Sequence, residues 1–283
     1  MTARYDAAWV EQFYDAYGEK EWHRLVKDPE GEIKLHVHRH YLEKYVEPGS
    51  RVLEIGAGAG RFTQILVELA ARVTVVDISG VQLQLNRDRA AEHGFEHGVQ
   101  NRMKLDMCEM TGLDDAAFDV VVCYGGPLSY VFDKAGEALE EVRRVLKADG
   151  IALFGVMSLW GVVHRFLDGV LKLPAEVNRL IVRTGDLCPE NYPEGKHHGH
   201  MFRARELREL LQRHGLAVLE MSASNCVSTV WQERLDEARK DPAQWQHLLE
   251  LELEACREPG CVDTGTHTIA VCRKGAAPRE ENA

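Results

Sequence analysis

Three glycines at alternate positions, Gly56, Gly58 and Gly60, lie between a short apolar run and a stretch of helical periodicity. The next apolar run ends in an acid, Asp77, 21 residues after Gly56. Glycines at a strand-to-helix corner permit a tight turn and bring backbone N–H groups close to a ligand. An acid at the end of the following strand stands about where it reaches both hydroxyls of a ribose. The spacing is GxGxG: Arg61 stands where a dinucleotide fingerprint carries its third glycine, and Glu54 precedes the loop. A pyrophosphate disfavours a nearby carboxylate. A nucleoside cofactor with a charged amine and no phosphate suits Glu54 and Asp77 better.

The elements that must position these residues follow from periodicity. Arg51 to Ile55 reads as a strand, Arg61 to Ala70 as a helix and Arg72 to Val76 as a second strand. A helix is expected from about Gly80 to His93, with Gln82 and Asn86 one turn apart. Met103 to Leu105 is a weak third strand, and Phe118 to Tyr124 a fourth, apolar on both faces as in the middle of a parallel sheet. Asp133 to Leu146 reads as a helix closed by the turn Ala148-Asp149-Gly150. Further strands are expected at Ile151 to Met157, Leu216 to Met221 and Thr266 to Cys272, with a helix from Arg203 to His214. Residues 1–47 read as an N-terminal helical segment and 48–273 as the main domain. Residues 158–202 and 222–264 break the βα rhythm and are long enough to carry structure of their own. The polar stretch 274–283 is expected to be a disordered tail.

The chain has 283 residues, 45% of them apolar, enough for one large core. Its net charge of −11 argues against a phosphate backbone as partner, so no nucleic acid is expected. The N-terminus lacks the apolar core of a secretory signal, and the longest apolar run, Ile151 to Val163, is short for a membrane span. Seven cysteines with no CxxC read as a reduced, cytoplasmic protein. His36 and His40 share a helix face at a spacing that suits zinc. No HExxH acid follows and no cysteine is near, so no metal is expected.

The run Val52-Leu-Glu-Ile-Gly-Ala-Gly-Ala-Gly-Arg61 resembles the first motif of the class I S-adenosylmethionine-dependent methyltransferases. Val75-Val-Asp-Ile-Ser79 resembles their second motif, Leu105-Asp-Met107 their third, Phe118 to Tyr124 their fourth-strand motif, and Leu146-Lys-Ala-Asp-Gly150 their "LKPGG" turn, with Ala148 and Asp149 departing from it. The resemblance covers residues 50–157 strongly and 203–221 and 266–272 more weakly. It implies an α/β fold: a doubly wound, mostly parallel seven-stranded sheet with the last strand antiparallel, an N-terminal helical segment over the cofactor site, and two insertions forming a cap. It implies S-adenosylmethionine as cofactor and S-adenosylhomocysteine as product. The cofactor would be held by Glu54, Gly56, Gly58, Gly60, Asp77, Ile78 and Gln82, with Asp106 at the adenine amino group and Met107 on the ring. Tyr124 and Gly125 would line its methionine end, with Arg39 or a histidine of the same helix near its carboxylate.

The aromatic and histidine-rich insertion suits an organic acceptor in a mostly apolar pocket. Trp160, His164, His197, His198 and His200 are the candidate acceptor-binding residues there, joined by Tyr130 beyond the fourth strand. An oxygen or amine acceptor also needs a base. His164 and His198 are the candidates, with Tyr130 beside the reacting atoms. The expected function is methyl transfer to an O, N or C atom of a small molecule by in-line displacement, in specialised metabolism, by a monomer or homodimer without membrane association. The alternatives are a methyltransferase acting on RNA or protein, or a non-catalytic cofactor-binding partner. No Asn/Asp-Pro-Pro-Tyr/Phe motif follows the fourth strand; Cys123-Tyr-Gly-Gly-Pro127 stands there instead.

Overall fold

The structure is a computed structural model and describes residues 3–275. Most of the expected tail, 276–283, lies outside the described residues.

Seven strands form one sheet: β1 Arg51–Ile55, β2 Arg72–Asp77, β3 Val99–Lys104, β4 Phe118–Cys123, β5 Leu146–Met157, β6 Leu216–Ala223 and β7 His267–Lys274. Their order across the sheet is β3-β2-β1-β4-β5-β7-β6. All neighbours run parallel except β7, which is antiparallel to both β5 and β6. This is the doubly wound sheet that the sequence implied. Its central strands are buried on both faces, which explains their unbroken apolar runs. Successive residues of β1 and β4 feed opposite cores: Val52, Val120 and Val122 one, Leu53, Val121 and Cys123 the other.

Helices cover both faces. Beside β1, α3 (Pro29–Tyr45) and α4 (Arg61–Glu68) bury Val37, Tyr41, Phe62 and Leu66. On the far face, α7 (Ala135–Val145) buries Leu139 and Val142, and α11 (Ala204–Arg213) buries Leu207 and Leu211. The first face also carries α5 (Gly80–His93) after β2, through Ala90, and the second carries the single turn α6 (Pro127–Tyr130) after β4, through Leu128.

The N-terminal segment is helical but broken. Helix α1 (Ala7–Tyr17) is capped by Asp6 and ends at Gly18, whose φ is +53°. A short turn, α2 (Lys20–His23), follows, and α3 begins with Asp28 as N-cap and Pro29 in its first turn. The third strand is longer than expected because its first residues, Val99 to Arg102, belong to a half-exposed edge with no apolar alternation to betray them.

Insertion 158–202 folds into α8 (Leu159–Arg165), α9 (Leu167–Val170), α10 (Ala175–Thr184) and a two-residue antiparallel ladder joining Asp186–Leu187 to Gly199–His200. Insertion 222–264 forms α12 (Gln232–Arg239) and α13 (Pro242–Arg257), which pack against α3, with α13 also against β6. Among the described residues no helix is long and apolar enough to cross a membrane.

Candidate functional site

The C-terminal ends of β1, β2 and β4 open into a narrow cleft lined by Gly56 and Gly58 of the glycine loop, Asp77, Ile78, Asp106, Met107 and Gly125; Gly60 lies behind it, against Asn86 and Phe95. Gly56 turns the chain at φ +66°, and a Cβ there would stand 2.3 Å from Cγ of Pro127. Only glycine satisfies both the left-handed backbone and that contact. The Asp77 carboxylate accepts the N–H of Gly58 at 2.8 Å on one oxygen and the N–H of Ser79 at 2.8 Å on the other. Burial pushes its carboxyl up to about 6, against the pull of those two N–H donors.

The opposite wall comes from the N-terminal segment. Tyr5, Val10, Tyr14 and Glu21 face the cleft. The Tyr5 hydroxyl donates to Oδ2 of Asp106 at 2.8 Å, and the N–H of Cys108 donates to Oδ1. Asp15 accepts a hydrogen bond from the Ser79 hydroxyl at the start of α5. Arg24 sits beside Gly125 in a two-point fork with Glu21, its Nη2 2.9 Å from Oε1.

Three of the expected cofactor residues face elsewhere. Glu54 points beneath the loop toward α4, where it accepts the Thr63 hydroxyl at 2.6 Å. Burial pushes it up to about 8, so it is largely neutral at pH 7. Gln82 donates to the carbonyls of Tyr14 (3.0 Å) and Gly18 (3.2 Å) and anchors the end of α1. Arg39 turns to the outer surface, paired with Glu43 (2.8 Å) and Glu68 (3.0 Å). Successive helix residues diverge by about 100°, so Arg39 faces out because its neighbour His38 faces in. Tyr124 is buried edge-on to His38 and Phe62, next to the cleft.

A second, larger cavity of about 740 Å³ lies beyond Gly125, which lines both spaces. One wall is a face of α3 carrying Glu30, Lys34 and His38 at four-residue spacing. Another is α8 with its C-cap, through Val162, Arg165 and Phe166; Tyr192, His197 and His267 complete it. No residue of 222–264 lines it, although Gln232 reaches Glu30.

Three histidines gather at this junction. His38 Nδ1 lies 2.7 Å from the Lys34 carbonyl. A carbonyl only accepts, so Nδ1 carries the proton and Nε2 of the neutral ring is a free acceptor. Burial pushes His38 down to about 4; the carbonyl bond opposes this, and the charges of Arg24 and Lys34 add to it. A Cβ on Gly155 would have both His38 Nε2 and the Gly125 nitrogen within 3.6 Å, which places the ring at the seam between the two spaces. His267 is likewise held below its usual range by burial and then by Arg24 and Lys34. His197, lowered by burial, has its Nε2 3.3 Å from the Tyr130 hydroxyl.

The expected histidines separate into two groups. Tyr130 lines the cleft and His197 lines the cavity. Trp160 and His164 lie on the exposed face of α8, because positions 162, 165 and 166 are the ones turned inward. His198 stacks on Trp9 with ring centroids 4.2 Å apart. His200 is clasped between Asp186 (2.7 Å) and Glu206 (3.0 Å) and ties the small ladder to α11. Burial would lower it, but the two carboxylates outweigh burial and push it up to about 9. None of these four lines either space. Tyr5, Glu21, Arg24 and His267 escaped the sequence reading, and His38 was covered only as an unspecified histidine on the helix of Arg39. One signal was present: Glu30, Lys34 and His38 form a polar i, i+4, i+8 row beside the apolar positions Ile33, Val37 and Tyr41. The seven cysteines are free, and among the described residues no group of three or more histidine, cysteine or acidic side chains is placed to hold a metal.

Residues 52–150 match the family described as "Methyltransferase domain". The putative methyltransferase YqeM of Bacillus subtilis (strain 168) is 31% identical over 130 residues, 45% of this chain and 51% of that protein. The chain spans about half, or less, of the length of the first curated relatives it matches. A putative methyltransferase of Haloferax volcanii, solved in complex with a methyltransferase activator, aligns with a TM-score of 0.61 at 18% identity over 96% of this chain and 100% of that one. The Burkholderia thailandensis 1,6-didemethyltoxoflavin-N1-methyltransferase, solved with 1,6-didemethyltoxoflavin and S-adenosylhomocysteine, aligns at 0.58 and 17% identity over 95% of this chain and 88% of that one. At these identities the structural likeness is one of fold.

Proposed function

We propose, from the premise that this chain carries a class I S-adenosylmethionine-dependent methyltransferase domain, that it methylates a small organic molecule held in the 740 Å³ cavity. The observation that carries this reading is the junction at Gly125, where the cofactor cleft meets a mostly apolar, walled space. Such a space suits an organic acceptor better than a polymer.

The residues present fit the cofactor. Asp77 offers carboxylate lone pairs beyond those used by Gly58 and Ser79, suited to ribose hydroxyls. Asp106 and Met107 suit an adenine edge and face, and the Glu21–Arg24 fork matches the charges of an amino-acid zwitterion. When bound, S-adenosylmethionine supplies a methyl group already activated on a sulfonium centre. The chain's own task is then alignment and exclusion of water. Residues 1–47 and 158–202 act as the cap, and 222–264 buttresses α3 from outside. Tyr130, bonded to His197, orients the acceptor. His38 Nε2 takes the proton of a hydroxyl or amine acceptor. His164 and His198 receive no role in this scheme.

Incubation of the purified chain with S-adenosylmethionine and a library of organic acceptors tests this. The expected result is acceptor-dependent S-adenosylhomocysteine and a methylated small molecule. Failure to bind the cofactor, or methyl transfer confined to RNA or protein, would refute the reading.

A further inference from the structure

Glu30, Lys34 and Arg165 form a partly buried charge cluster on the cavity wall, and it does not balance. Glu30 Oε1 accepts Lys34 Nζ at 2.6 Å, and Oε2 accepts Arg165 Nε at 2.9 Å and the Gln232 amide. The three side chains are only 8%, 16% and 27% exposed for Glu30, Lys34 and Arg165. Two cations therefore share one carboxylate. Elsewhere on the lining Arg24 is matched by Glu21 and Lys27 by Asp28, so the unmatched charge belongs to the Lys34–Arg165 wall. Donors are spare as well: among the described residues Lys34 Nζ makes one hydrogen bond, and the Arg165 guanidinium makes its only one through Nε. A protein of net charge −11 has no general surplus of cations that would place one here.

We propose that the methyl acceptor is an organic acid whose carboxylate sits between Lys34 and Arg165, with its nucleophilic atom near His38. This rests on the methyl-transfer reading above. A planar guanidinium with an unused edge and an ammonium beside it match a carboxylate in geometry and charge. One unit of unmatched positive charge suits a monoanion; a dianionic phosphate would leave net negative charge buried next to Glu30. Lys34 lies one helical turn, roughly 6 Å, from His38, which is about the span of one aromatic ring between an acid and a hydroxyl or amine. The surrounding Val162, Phe166 and Met201 supply an apolar seat for such a ring. The field of this wall also reaches inward, since Lys34 is among the charges that add to burial in pushing His38 and His267 down.

Calorimetry on the full chain saturated with S-adenosylhomocysteine tests this with 3-hydroxybenzoate, 3-hydroxybenzamide and phenyl phosphate as probes. The acid is expected to bind about tenfold or more tightly than the amide, the effect of roughly one charge-assisted contact, and more tightly than the phosphate. Arg165→Gln and Lys34→Met should each remove most of the difference between acid and amide. The inference is overturned if the amide binds as well as the acid, if the phosphate binds best, if no probe binds, or if the acid preference survives both substitutions. Should the wild-type chain fail to bind S-adenosylhomocysteine, the methyl-transfer reading itself falls and this inference falls with it. Binding of S-adenosylhomocysteine without acid preference overturns this inference alone.

Discussion

The hydroxyl of Tyr5 donates to Oδ2 of Asp106 at 2.8 Å, joining residues 101 positions apart across the mouth of the cleft. Asp106 is the acid that the third-motif resemblance assigns to an adenine, so the N-terminal segment is fastened to the residue it covers. Tyr5→Phe is expected to speed S-adenosylhomocysteine dissociation roughly fivefold, the counterpart of about 1 kcal/mol for a half-buried bond to a carboxylate. Stopped-flow displacement followed through Trp9 and Trp22 emission would report it. An unchanged rate would mean that Tyr5 does not hold the segment closed.

Asp77 should make cofactor affinity pH-dependent. Its carboxyl is raised to about 6 in the empty cleft, and ribose hydroxyls would donate to the ionised form. Protons therefore compete with the ligand. Affinity for S-adenosylhomocysteine is expected to be level above neutrality and to fall toward tenfold per unit as pH drops below about 6. For the empty fold the sign is opposite: a carboxyl raised above its unfolded value contributes stability at low pH that is lost as pH rises through about 6. Titration calorimetry between roughly pH 5 and 8 tests the binding side, and Asp77→Asn should flatten the profile.

Glu54 should tolerate amidation. Raised to about 8 by burial and facing Thr63, it is mainly neutral at pH 7. Glu54→Gln is expected to keep S-adenosylhomocysteine affinity within about threefold. Wild-type stability from this group is present at low pH and lost as pH rises through about 8, so the variant should melt above wild type in mildly alkaline buffer. Loss of cofactor binding on amidation would place the Glu54 charge in the cleft after all.

His200 should stabilise the insertion in its protonated form. Its folded value of about 9 lies above the ordinary histidine value, so its contribution is complete below about pH 6.5 and disappears as pH rises through about 9. His200→Gln is expected to lower Tm at neutral pH by a few degrees, with the gap to wild type closing above about pH 9. A gap that persists in alkali would point to packing rather than charge.

The strand, glycine loop, helix and second strand from Arg51 to Asp77 were legible because they are local. Left-handed turns demand glycine, buried strands demand apolar runs, and the spacing of Gly56 and Asp77 follows from one βαβ unit. The mostly parallel seven-stranded sheet with its last strand reversed was implied by the family resemblance of the ordered motifs, while the strand order came from the structure. The same reading picked out Tyr130 and His197, which the fold brings to 3.3 Å from one another.

The lining of the larger cavity was not legible, because it depends on the phase of helices against one another. Along α3, Arg39 and His38 are sequence neighbours, and only packing of Val37 and Tyr41 on the sheet turns His38 to the seam and Arg39 to solvent. Along α8 the same rotation selects Arg165 and sets His164 aside. Tyr5, Glu21 and Arg24 enter the cleft through contacts far along the chain, such as Gln82 with the end of α1, that no spacing announces. By itself the sequence determined the cofactor-binding frame, since local backbone geometry and strand periodicity suffice for it. Tertiary structure alone decided which charges and which imidazoles share the 740 Å³ cavity, since that choice is made by side-chain burial between elements distant in the chain.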